Sequence, residues 1–449
     1  MRLPILDAMR KYPEQLAFDD GHNQIAYGSL AAFLTETQAS VSCQSGEHVA
    51  WCPSNDLDAF LNFWAIQFQG GVACPISHRF PEPKRIEILQ RLDAAWLPQA
   101  RKGSTDETLD DKHSNEIKGE GSDNLDRPAT IILSSGSTGQ PKAVVHSMSA
   151  HIANAVGAAS NMPLLPGDRW LWSLPLFHVS GLSILVRCAV NAATVVGMHA
   201  EESLDAGLLA TRKVTHLSVV SIQLRRLIAE PSFPSQHLKY VLLGGSSVDP
   251  QLVAEARERG IKVLTTYGLT EMGSQVTSST EDGNPNMSGR VLPGRELRIT
   301  PSGEILVRGA PLCAGYYRDG VISPVVNNEG WFATGDLGSM NREGELSVTG
   351  RLDNMFISGG ENIHPENIER VMSKAFQLNQ VVVVPKPDAA FGSRPVAFVD
   401  GDLPADWPNI LKGLMTAYEI PVEVRTWPAA AELSIKPDRK MLAKLAKDS

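Results

Sequence analysis

The stretch that decides the fold is Ile131-Ile-Leu-Ser-Ser-Gly-Ser-Thr-Gly-Gln-Pro-Lys142. An apolar strand runs into six small residues, and a lysine ends the stretch. Small residues let backbone N–H groups converge on a polyanion, their hydroxyls add donors, and the lysine adds positive charge. The pattern therefore predicts a phosphate-binding loop after a buried strand.

This loop does not have the Walker A spacing. That motif needs four residues between its two glycines, whereas only Ser137 and Thr138 separate Gly136 from Gly139. Taken by itself, the stretch is also compatible with an ordinary Ser/Gly turn. Its meaning therefore depends on the rest of the chain.

The first part of the chain alternates short apolar runs with helical patterns. Leu57–Ile66 has helical periodicity, and strands are predicted at Ala129–Leu133, Thr215–Val220 and Lys239–Leu243. Such alternation is typical of an α/β fold with layered, largely parallel sheets.

The texture changes after Gly289. As far as Gly350, glycines break the sequence into short strands, which predicts a small β subdomain. A helix at Pro365–Phe376, a strand at Val381–Val384, another strand and two more helices then indicate an α+β domain. We predict a large N-terminal domain over residues 1–350 and a small, mobile C-terminal domain over residues 351–449.

Composition narrows the function classes. The 449 residues are 43% hydrophobic and 20% charged, as in globular proteins, and the net charge of -9 argues against a nucleic-acid partner. Five scattered cysteines without CxxC spacing favour a reducing compartment over a disulfide framework or a zinc site. Without a signal peptide or an apolar run of about 20 residues, we predict a cytoplasmic location and no membrane span.

The phosphate loop resembles that of the adenylate-forming superfamily, which includes acyl-CoA synthetases, luciferases and peptide-synthetase adenylation domains. The family pattern ends Gly-x-Pro-Lys-Gly, and here Ala143 replaces the last glycine. Further family motifs follow in the family's order, so the resemblance covers residues of about 130 to 440. They are Gly244–Ser247, Tyr267–Glu271, Thr334–Leu337, Gly350–Asp353 and Ser358–Ile363.

The resemblance implies ATP, Mg²⁺ and coenzyme A as cofactors and co-substrate. It assigns the nucleotide site to Ser134, Ser135, Gly136, Ser137, Thr138, Gly139, Lys142, Gly244, Gly245, Ser246, Tyr267, Gly268, Asp336 and Arg351. Thr270 would contact the α-phosphate, and Glu271 would hold Mg²⁺ together with Thr138. A hard carboxylate oxygen suits that ion, which keeps phosphates and waters as its other ligands.

Two further roles follow from the likeness. Lys436 matches the catalytic lysine, with Arg439 three residues later, although Ile435 stands where many relatives have glycine. A solvated lysine in a basic tail is the alternative. Asp353 matches the hinge about which the small domain turns, and Gly359 and Gly360 would then approach the thiol of coenzyme A.

Three stretches resemble o-succinylbenzoate–CoA ligases of menaquinone biosynthesis, namely Ser173–Gly181, Thr215–Arg226 and Asn354–Ile363. Their acid has a second carboxylate, which needs a cation or several donors when buried. Arg226 is the first candidate for that role. Arg187 and Ser221 are further substrate candidates, and His178 matches a histidine of the acyl-pocket wall. Each arginine is also compatible with a solvated helix face, and His178 with a packed histidine.

Alternative functions stay open at this point. The chain is also compatible with a ligase for another aromatic or medium-chain acid, and with an adenylation enzyme that loads a carrier protein. An inactive nucleotide-binding module is a third reading, which the intact motif residues oppose. A homo-oligomer is compatible with the sequence.

Overall fold

The structure, a computed structural model, describes residues 2–97, 124–134, 141–245, 248–428 and 438–447. The chain divides into two compact units. The first comprises Met1–Leu297 and Val307–Phe332, and the second comprises Arg298–Leu306 and Ala333–Ser449. The predicted boundary at residue 350 separates the large domain from the small domain that is expected to rotate, and it stays a prediction.

The helices of the described residues number twelve, besides two 3-10 turns at Thr270–Met272 and Leu352–Asn354. They are α1 (Pro4–Lys11), α2 (Leu30–Ser40), α3 (Leu57–Phe68), α4 (Glu82–Leu92), α5 (Met148–Ala159), α6 (Val179–Asn191), α7 (Ala206–Thr211), α8 (Ser221–Ile228), α9 (Pro250–Glu258), α10 (Pro365–Phe376), α11 (Trp407–Lys412) and α12 (Arg439–Lys447).

The strands are β1 (Leu16–Asp19), β2 (Gln24–Ala26), β3 (His48–Trp51), β4 (Val72–Pro75), β5 (Ala94–Trp96), β6 (Pro128–Ser134), β7 (Lys142–Ser147), β8 (Arg169–Leu171), β9 (Thr194–Val196), β10 (His216–Val219), β11 (Tyr240–Leu243), β12 (Val263–Leu269), β13 (Ser274–Ser278), β14 (Arg290–Val291), β15 (Arg295–Ile299), β16 (Glu304–Gly309), β17 (Gly315–Arg318), β18 (Val321–Ser323), β19 (Phe332–Met340), β20 (Leu346–Arg351), β21 (Phe356–Ser358), β22 (Glu361–Ile363), β23 (Val381–Asp388), β24 (Gly392–Val399) and β25 (Glu423–Thr426).

Two large sheets confirm the predicted α/β class. A nine-stranded sheet has the order β14-β13-β12-β11-β10-β8-β9-β1-β2, and a seven-stranded sheet has the order β18-β17-β7-β6-β4-β3-β5. The inner strands β8 to β12 run parallel, whereas β2, β13 and β14 at the edges are antiparallel. Parallel strands need helical crossovers, which cover both faces of the sheet and make its strands apolar throughout.

Helix α3 shows how local sequence produces this layering. The Asp56 side chain accepts a hydrogen bond from the Ala59 amide and so caps the first turn. Nine of its twelve residues are buried, including Trp64 with no exposed surface. A helix that is apolar all round belongs in the interior between layers, and this is where α3 contributes to the core.

The predicted small β subdomain corresponds to a four-stranded sheet in the order β15-β16-β19-β20. Other strands of the predicted stretch join neighbouring sheets. Strand β14 extends the nine-stranded sheet, and β17 pairs with β7 in the seven-stranded sheet. The glycine-rich texture indicated strands correctly, but pairing partners depend on contacts between residues that are distant in sequence.

The second unit contains the predicted C-terminal elements. Helix α10 has the predicted bounds Pro365–Phe376, and proline at the first position suits a helix start because no partner for its missing N–H is needed there. Strands β23, β24 and β25 form a three-stranded sheet. In the part of the chain that the structure describes, no helix is long and apolar enough to cross a membrane.

Candidate active site

The carboxyl ends of parallel strands β10, β11 and β12 meet at one edge of the nine-stranded sheet. Ser221 follows β10, Gly244 and Gly245 follow β11, and Thr270 follows β12. In open parallel sheets, ligands bind outside the carboxyl ends of the strands. The sequence-predicted motifs are therefore brought to the edge where a nucleotide site is expected.

The phosphate loop joins two antiparallel strands. Ser134 at the end of β6 pairs in register with Lys142 at the start of β7. The lysine is exposed, and its Nζ atom lies 4.9 Å from the ring centroid of Tyr316. Other predicted loop residues lie outside the described residues, namely Ser135, Gly136, Ser137, Thr138 and Gly139.

Tyr316 connects this lysine to the predicted metal ligand. Its hydroxyl donates a hydrogen bond of 2.8 Å to Oε1 of Glu271, in the 3-10 turn Thr270–Met272. The backbone carbonyl of Glu271 also accepts from the Cys313 amide at 2.7 Å. One tyrosine on β17 thus contacts both the cation of the phosphate loop and the carboxylate predicted to hold Mg²⁺.

The donor set around Glu271 fits a magnesium ion held mainly by phosphates. Across the described ranges, no three His, Cys, Asp or Glu side chains converge on one point. Mg²⁺ typically binds through one or two carboxylates plus phosphates and waters rather than in an all-protein cage. Glu271, oriented by Tyr316, would hold the ion, which would neutralise charge on the phosphates.

Glycine is required beside the predicted adenine residue Tyr267. A side chain at Gly268 would place Cβ 2.1 Å from the Ser274 carbonyl oxygen, where β12 and β13 form a bulge. Gly245 has φ +89, a left-handed conformation that favours glycine. Tyr267 itself is 8% exposed. Ser246 lies outside the described residues.

Two histidines pack behind the 3-10 turn Thr270–Met272. His146 on β7 and His151 on α5 are buried and stacked, with ring centroids 4.9 Å apart. Burial lowers the pKa of His146 to about 4, and the nearby carbonyls of Thr270 and Glu271 oppose part of that shift. Burial and the neighbouring His146 also hold the pKa of His151 well below its usual value. Both imidazoles are therefore neutral near pH 7.

In the second unit, Asp336 and Arg351 face each other across β19 and β20. Arg351 Nη1 lies 3.0 Å from Asp336 Oδ1, and Arg351 Nη2 lies 3.8 Å from Asp353 Oδ2. The aspartate side chain is 11% exposed and the arginine side chain 48%. The predicted ribose residues are thus adjacent, and the predicted hinge residue lies beside them.

Gly359 and Gly360 form the two-residue turn between β21 and β22. Their φ angles of +59 and +91 match the hairpin turns that glycine favours. A side chain at Gly359 would meet the Phe391 ring at 2.8 Å, whereas no atom lies within 4 Å of one at Gly360. The turn therefore presents exposed backbone, as the predicted thiol approach requires.

Lys436 lies outside the described residues, and the description resumes at residue 438. Arg439 at the start of α12 is held firmly. Its guanidinium bonds both oxygens of Glu369 at 2.5 and 3.1 Å, donates to the Val383 carbonyl at 2.7 Å and lies 3.6 Å from Glu366. The residue three positions after Lys436 is therefore anchored to α10 and β23.

The acyl-side candidates differ sharply in their surroundings. Arg187 on α6 is 2% exposed, with its guanidinium 5.3 Å from the Trp170 ring centroid. Arg226 on α8 is exposed to solvent. His178 is an exposed residue at the start of α6, and Ser221 is half-buried at the start of α8.

A model of the AMP-binding enzyme family matches residues 6–317. The chain belongs to that family. This AMP-binding enzyme is 36% identical to the 2-succinylbenzoate–CoA ligase of Escherichia coli K12, over 92% of this chain and 91% of that protein.

Solved structures agree with this membership. A substituted form of the o-succinylbenzoate CoA synthetase MenE from E. coli, with bound OSB-AMS, has a TM-score of 0.87 at 33% identity, covering 100% of this chain and 98% of that one. Bacillus subtilis MenE, 26% identical, has TM-scores of 0.85 with the acyl-adenylate OSB-AMP and 0.83 with ATP and a magnesium ion. Coverage of both chains is 98% in the former and 95% and 96% in the latter. The predicted adenylate-forming family is confirmed.

Sequence reasoning missed three residues of this AMP-binding enzyme that contact the site. Tyr316 lies 45 residues from Glu271, and no motif spacing connects them. His146 and Asn154 follow the phosphate loop on β7 and α5, where they read as ordinary strand and helix residues. A polar residue within an apolar run just after a nucleotide motif is the one sequence signal that could have indicated the latter two.

Proposed function

We propose that this enzyme joins 2-succinylbenzoate to coenzyme A in an ATP-dependent reaction that proceeds through an acyl-adenylate. Membership of the AMP-binding family and the names of its relatives support an acid–CoA ligase. The linked Lys142, Tyr316 and Glu271 supply the cation and the carboxylate that a bound nucleotide and its magnesium need.

The observation that carries the choice of acid is the position of Arg187. Its Nη2 atom lies 3.4 Å from Ser274 Oγ, only four residues beyond Thr270. No carboxylate of the described residues pairs with Arg187, and its Nε atom has no hydrogen-bond partner among them. A buried cation without a counter-ion is costly. A ligand with a second carboxylate, such as 2-succinylbenzoate, would supply the missing anion.

We infer that Arg187, rather than Arg226, holds this second carboxylate. Burial and the charge of nearby Arg295 lower the pKa of Arg187 to about 9, in keeping with a buried charge that has no carboxylate of the described residues beside it. Arg226 is solvated, so a carboxylate there would gain little over water. Arg226 nevertheless stays a prediction that a single substitution can test.

The reaction has two steps, transfer of the adenylyl group of ATP to the acid and then transfer of the acyl group to coenzyme A. The aliphatic carboxylate attacks the α-phosphorus, an acyl–oxygen–phosphorus bond forms, and the bond to pyrophosphate breaks. The sulfur of coenzyme A then attacks the acyl carbon and loses its proton to the solvent, a carbon–sulfur bond forms, and the bond from the acyl carbon to the phosphate oxygen breaks, so that AMP leaves. Charge builds on phosphoryl oxygens in the first step, so positioned cations such as Lys142 and the predicted Lys436 favour it.

The two half-reactions also test the predicted small-domain roles. We expect Lys436→Ala to abolish adenylate formation and to leave thioester formation from supplied acyl-adenylate largely intact. We expect Asp353→Pro to stiffen the hinge and to uncouple the two steps. Equal loss of both half-reactions in Lys436→Ala, or full turnover in Asp353→Pro, would contradict these roles.

We place the reaction in the cytoplasm, where ATP and coenzyme A are available. All five cysteines are free thiols, a state that a reducing compartment maintains.

The deciding experiment measures pyrophosphate release with ATP, Mg²⁺ and a panel of carboxylates, each with and without coenzyme A. CoA-dependent turnover confined to 2-succinylbenzoate is the expected result. Turnover on a different acid would retain the ligase and reject this substrate. No pyrophosphate release above background with any acid of the panel would point to a carrier protein as acceptor.

A further inference from the structure

Asn154 lies in the interior between Arg187 and the Thr270–Met272 turn. It is 1% exposed on α5. Its Nδ2 atom donates to the Met272 carbonyl at 2.9 Å and to the Gln275 carbonyl at 3.2 Å. These carbonyls lie at the end of the turn that carries Glu271 and just beyond it. One amide group therefore holds that turn against α5.

The other end of the same amide faces the acyl side. Arg187 Nη2 donates to Asn154 Oδ1 at 3.3 Å. Carbonyls only accept and a guanidinium only donates, so the orientation of the Asn154 amide follows from its neighbours. The side chain thus connects the proposed carboxylate-binding cation to the backbone of the nucleotide turn.

A second buried guanidinium supports this link. The Arg295 guanidinium donates to the backbone carbonyl of Asn154 at 3.1 Å and to the backbone carbonyl of Gln275 at 2.8 Å. Space for it depends on Gly157, because a Cβ atom there would lie 2.0 Å from Arg295 Nη1 and 2.6 Å from the Pro293 carbonyl oxygen. A glycine inside α5 lowers helix stability relative to alanine, but it leaves space for the arginine that fixes Asn154.

We propose that Asn154 is a positioning residue that couples occupancy of Arg187 by the acid's second carboxylate to the placement of the Thr270–Met272 turn. The inference rests on the proposed function. A carboxylate that binds Arg187 competes with Asn154 Oδ1 for the same N–H groups, so the Asn154 side chain shifts. Because the same side chain donates to the Met272 and Gln275 carbonyls, its shift moves the turn that contains Thr270 and Glu271.

Coupling of this kind is reciprocal. If the bound acid favours the arrangement of the turn that binds the nucleotide, the nucleotide must raise the affinity for the acid by the same factor. Coupled sites typically show factors of about 5 to 150. An acid without the second carboxylate cannot reach Arg187 in this way and should show no such factor.

Asn161 offers a matched control. Its Nδ2 atom donates to Ser278 Oγ at 3.0 Å and to the Ser279 carbonyl at 2.7 Å, so it also ties the end of the α5 segment to the β13 segment. It has no bond to Arg187. Each asparagine donates two comparable hydrogen bonds to the β13 side, but of the two only Asn154 also accepts one from Arg187.

The test is calorimetric titration of the full chain with 2-succinylbenzoate, with and without Mg²⁺ and an ATP analogue methylene-bridged between the α- and β-phosphates. We expect the nucleotide to tighten acid binding at least about five-fold in the wild type and in Asn161→Ala. In Asn154→Ala the factor should fall to within about two-fold of unity. The same should hold for wild type with 4-oxo-4-phenylbutanoate, which lacks the ring carboxylate.

Asn154→Asp covers the case in which the alanine variant does not fold. It keeps the size of the side chain, cannot donate to the two carbonyls, and places a carboxylate beside Arg187. We expect it to lose the coupling factor and to bind 2-succinylbenzoate at least ten-fold more weakly without nucleotide. Unchanged coupling in the Asn154 variants, equal loss in Asn161→Ala, or no coupling in the wild type would overturn the inference. If the wild type binds the nucleotide but does not bind this acid with or without it, the proposed substrate is wrong, and the inference, which depends on that substrate, is rejected with it.

Discussion

Arg187 in the first unit is a buried guanidinium group and Arg439 in the second a partly buried one, and their surroundings are opposite. Arg439 meets both oxygens of Glu369 and lies near Glu366, and it is a quarter exposed. Among the described residues, Arg187 meets only neutral acceptors and an indole ring. Burial opposes the charge of Arg439, but the attraction of Glu369 outweighs it and raises the pKa. Burial lowers the pKa of Arg187 to about 9.

The difference separates structure from function. A paired buried charge has its partner inside the fold, so it holds elements together whether or not a ligand is present. An unpaired one is a cost to the free protein. Such a cost is reasonable where a ligand provides the partner, since perturbed groups cluster at functional sites. Substitutions at the two arginines should therefore fail in different ways.

The largest effect is expected for Arg187→Met. Loss of the cation leaves the second carboxylate of the acid buried and unpaired, so kcat/KM for 2-succinylbenzoate should fall roughly 10²- to 10³-fold. Nucleotide binding in the absence of the acid should change little, and the unfolding free energy should stay within about 1 kcal/mol of the wild type. Steady-state kinetics, nucleotide titration and urea denaturation measure these three quantities. A loss of stability without a change in kcat/KM would reverse the comparison.

Arg439→Met should show the opposite pattern in stability. Glu369, whose side chain is 15% exposed, would lose its partner, and the unfolding free energy should fall by about 2–4 kcal/mol. The matched control is Arg10→Met, where the ion pair with Asp7 is largely exposed and a change within about 0.5 kcal/mol is expected. Equal effects in the two variants would show that the Arg439 pair is no stronger than a surface pair.

His146 extends the comparison to pH. Its pKa is about 4 in the folded chain, against an ordinary value of 6.5. Between these two pH values the histidine is therefore protonated in the unfolded chain and neutral in the folded chain. Stability should be unaffected above pH 6.5 and should be lost as the pH falls toward 4. Between pH 7 and pH 5 the loss from this group is about 2 kcal/mol.

The variant His146→Gln should remove that part of the acid sensitivity, measured as the difference from wild type in urea denaturation at pH 5 and pH 7. His22→Gln is the control, because His22 is exposed. An identical acid loss in wild type and His146→Gln would place the sensitivity in other groups.

The smallest effect is expected for Arg226→Ala. Since Arg226 is solvated on α8, KM for 2-succinylbenzoate should rise less than about two-fold. A rise of ten-fold or more, with KM for ATP unchanged, would transfer the second carboxylate from Arg187 to Arg226.

Much of the fold was predictable from local patterns. Helix α10 has its predicted bounds because the proline start and the apolar periodicity are both local signals. Strands β6, β10 and β11 lie at the predicted places, since short apolar runs fit buried parallel strands. The assignment of β17 to the seven-stranded sheet was not predictable, because strand pairing is a long-range property.

The sequence by itself determined the family, the order of the nucleotide motifs and the identity of Lys142, Glu271 and Asp336 as candidates. These follow from residue type and spacing along the chain. Only the tertiary structure decided that Tyr316 joins Lys142 to Glu271, that Arg187 is buried with no carboxylate of the described residues beside it while Arg226 is solvated, and that Asn154 connects Arg187 to the Thr270–Met272 turn. Burial and partners depend on which distant segments pack together, and the spacing of residues along a chain does not contain that information.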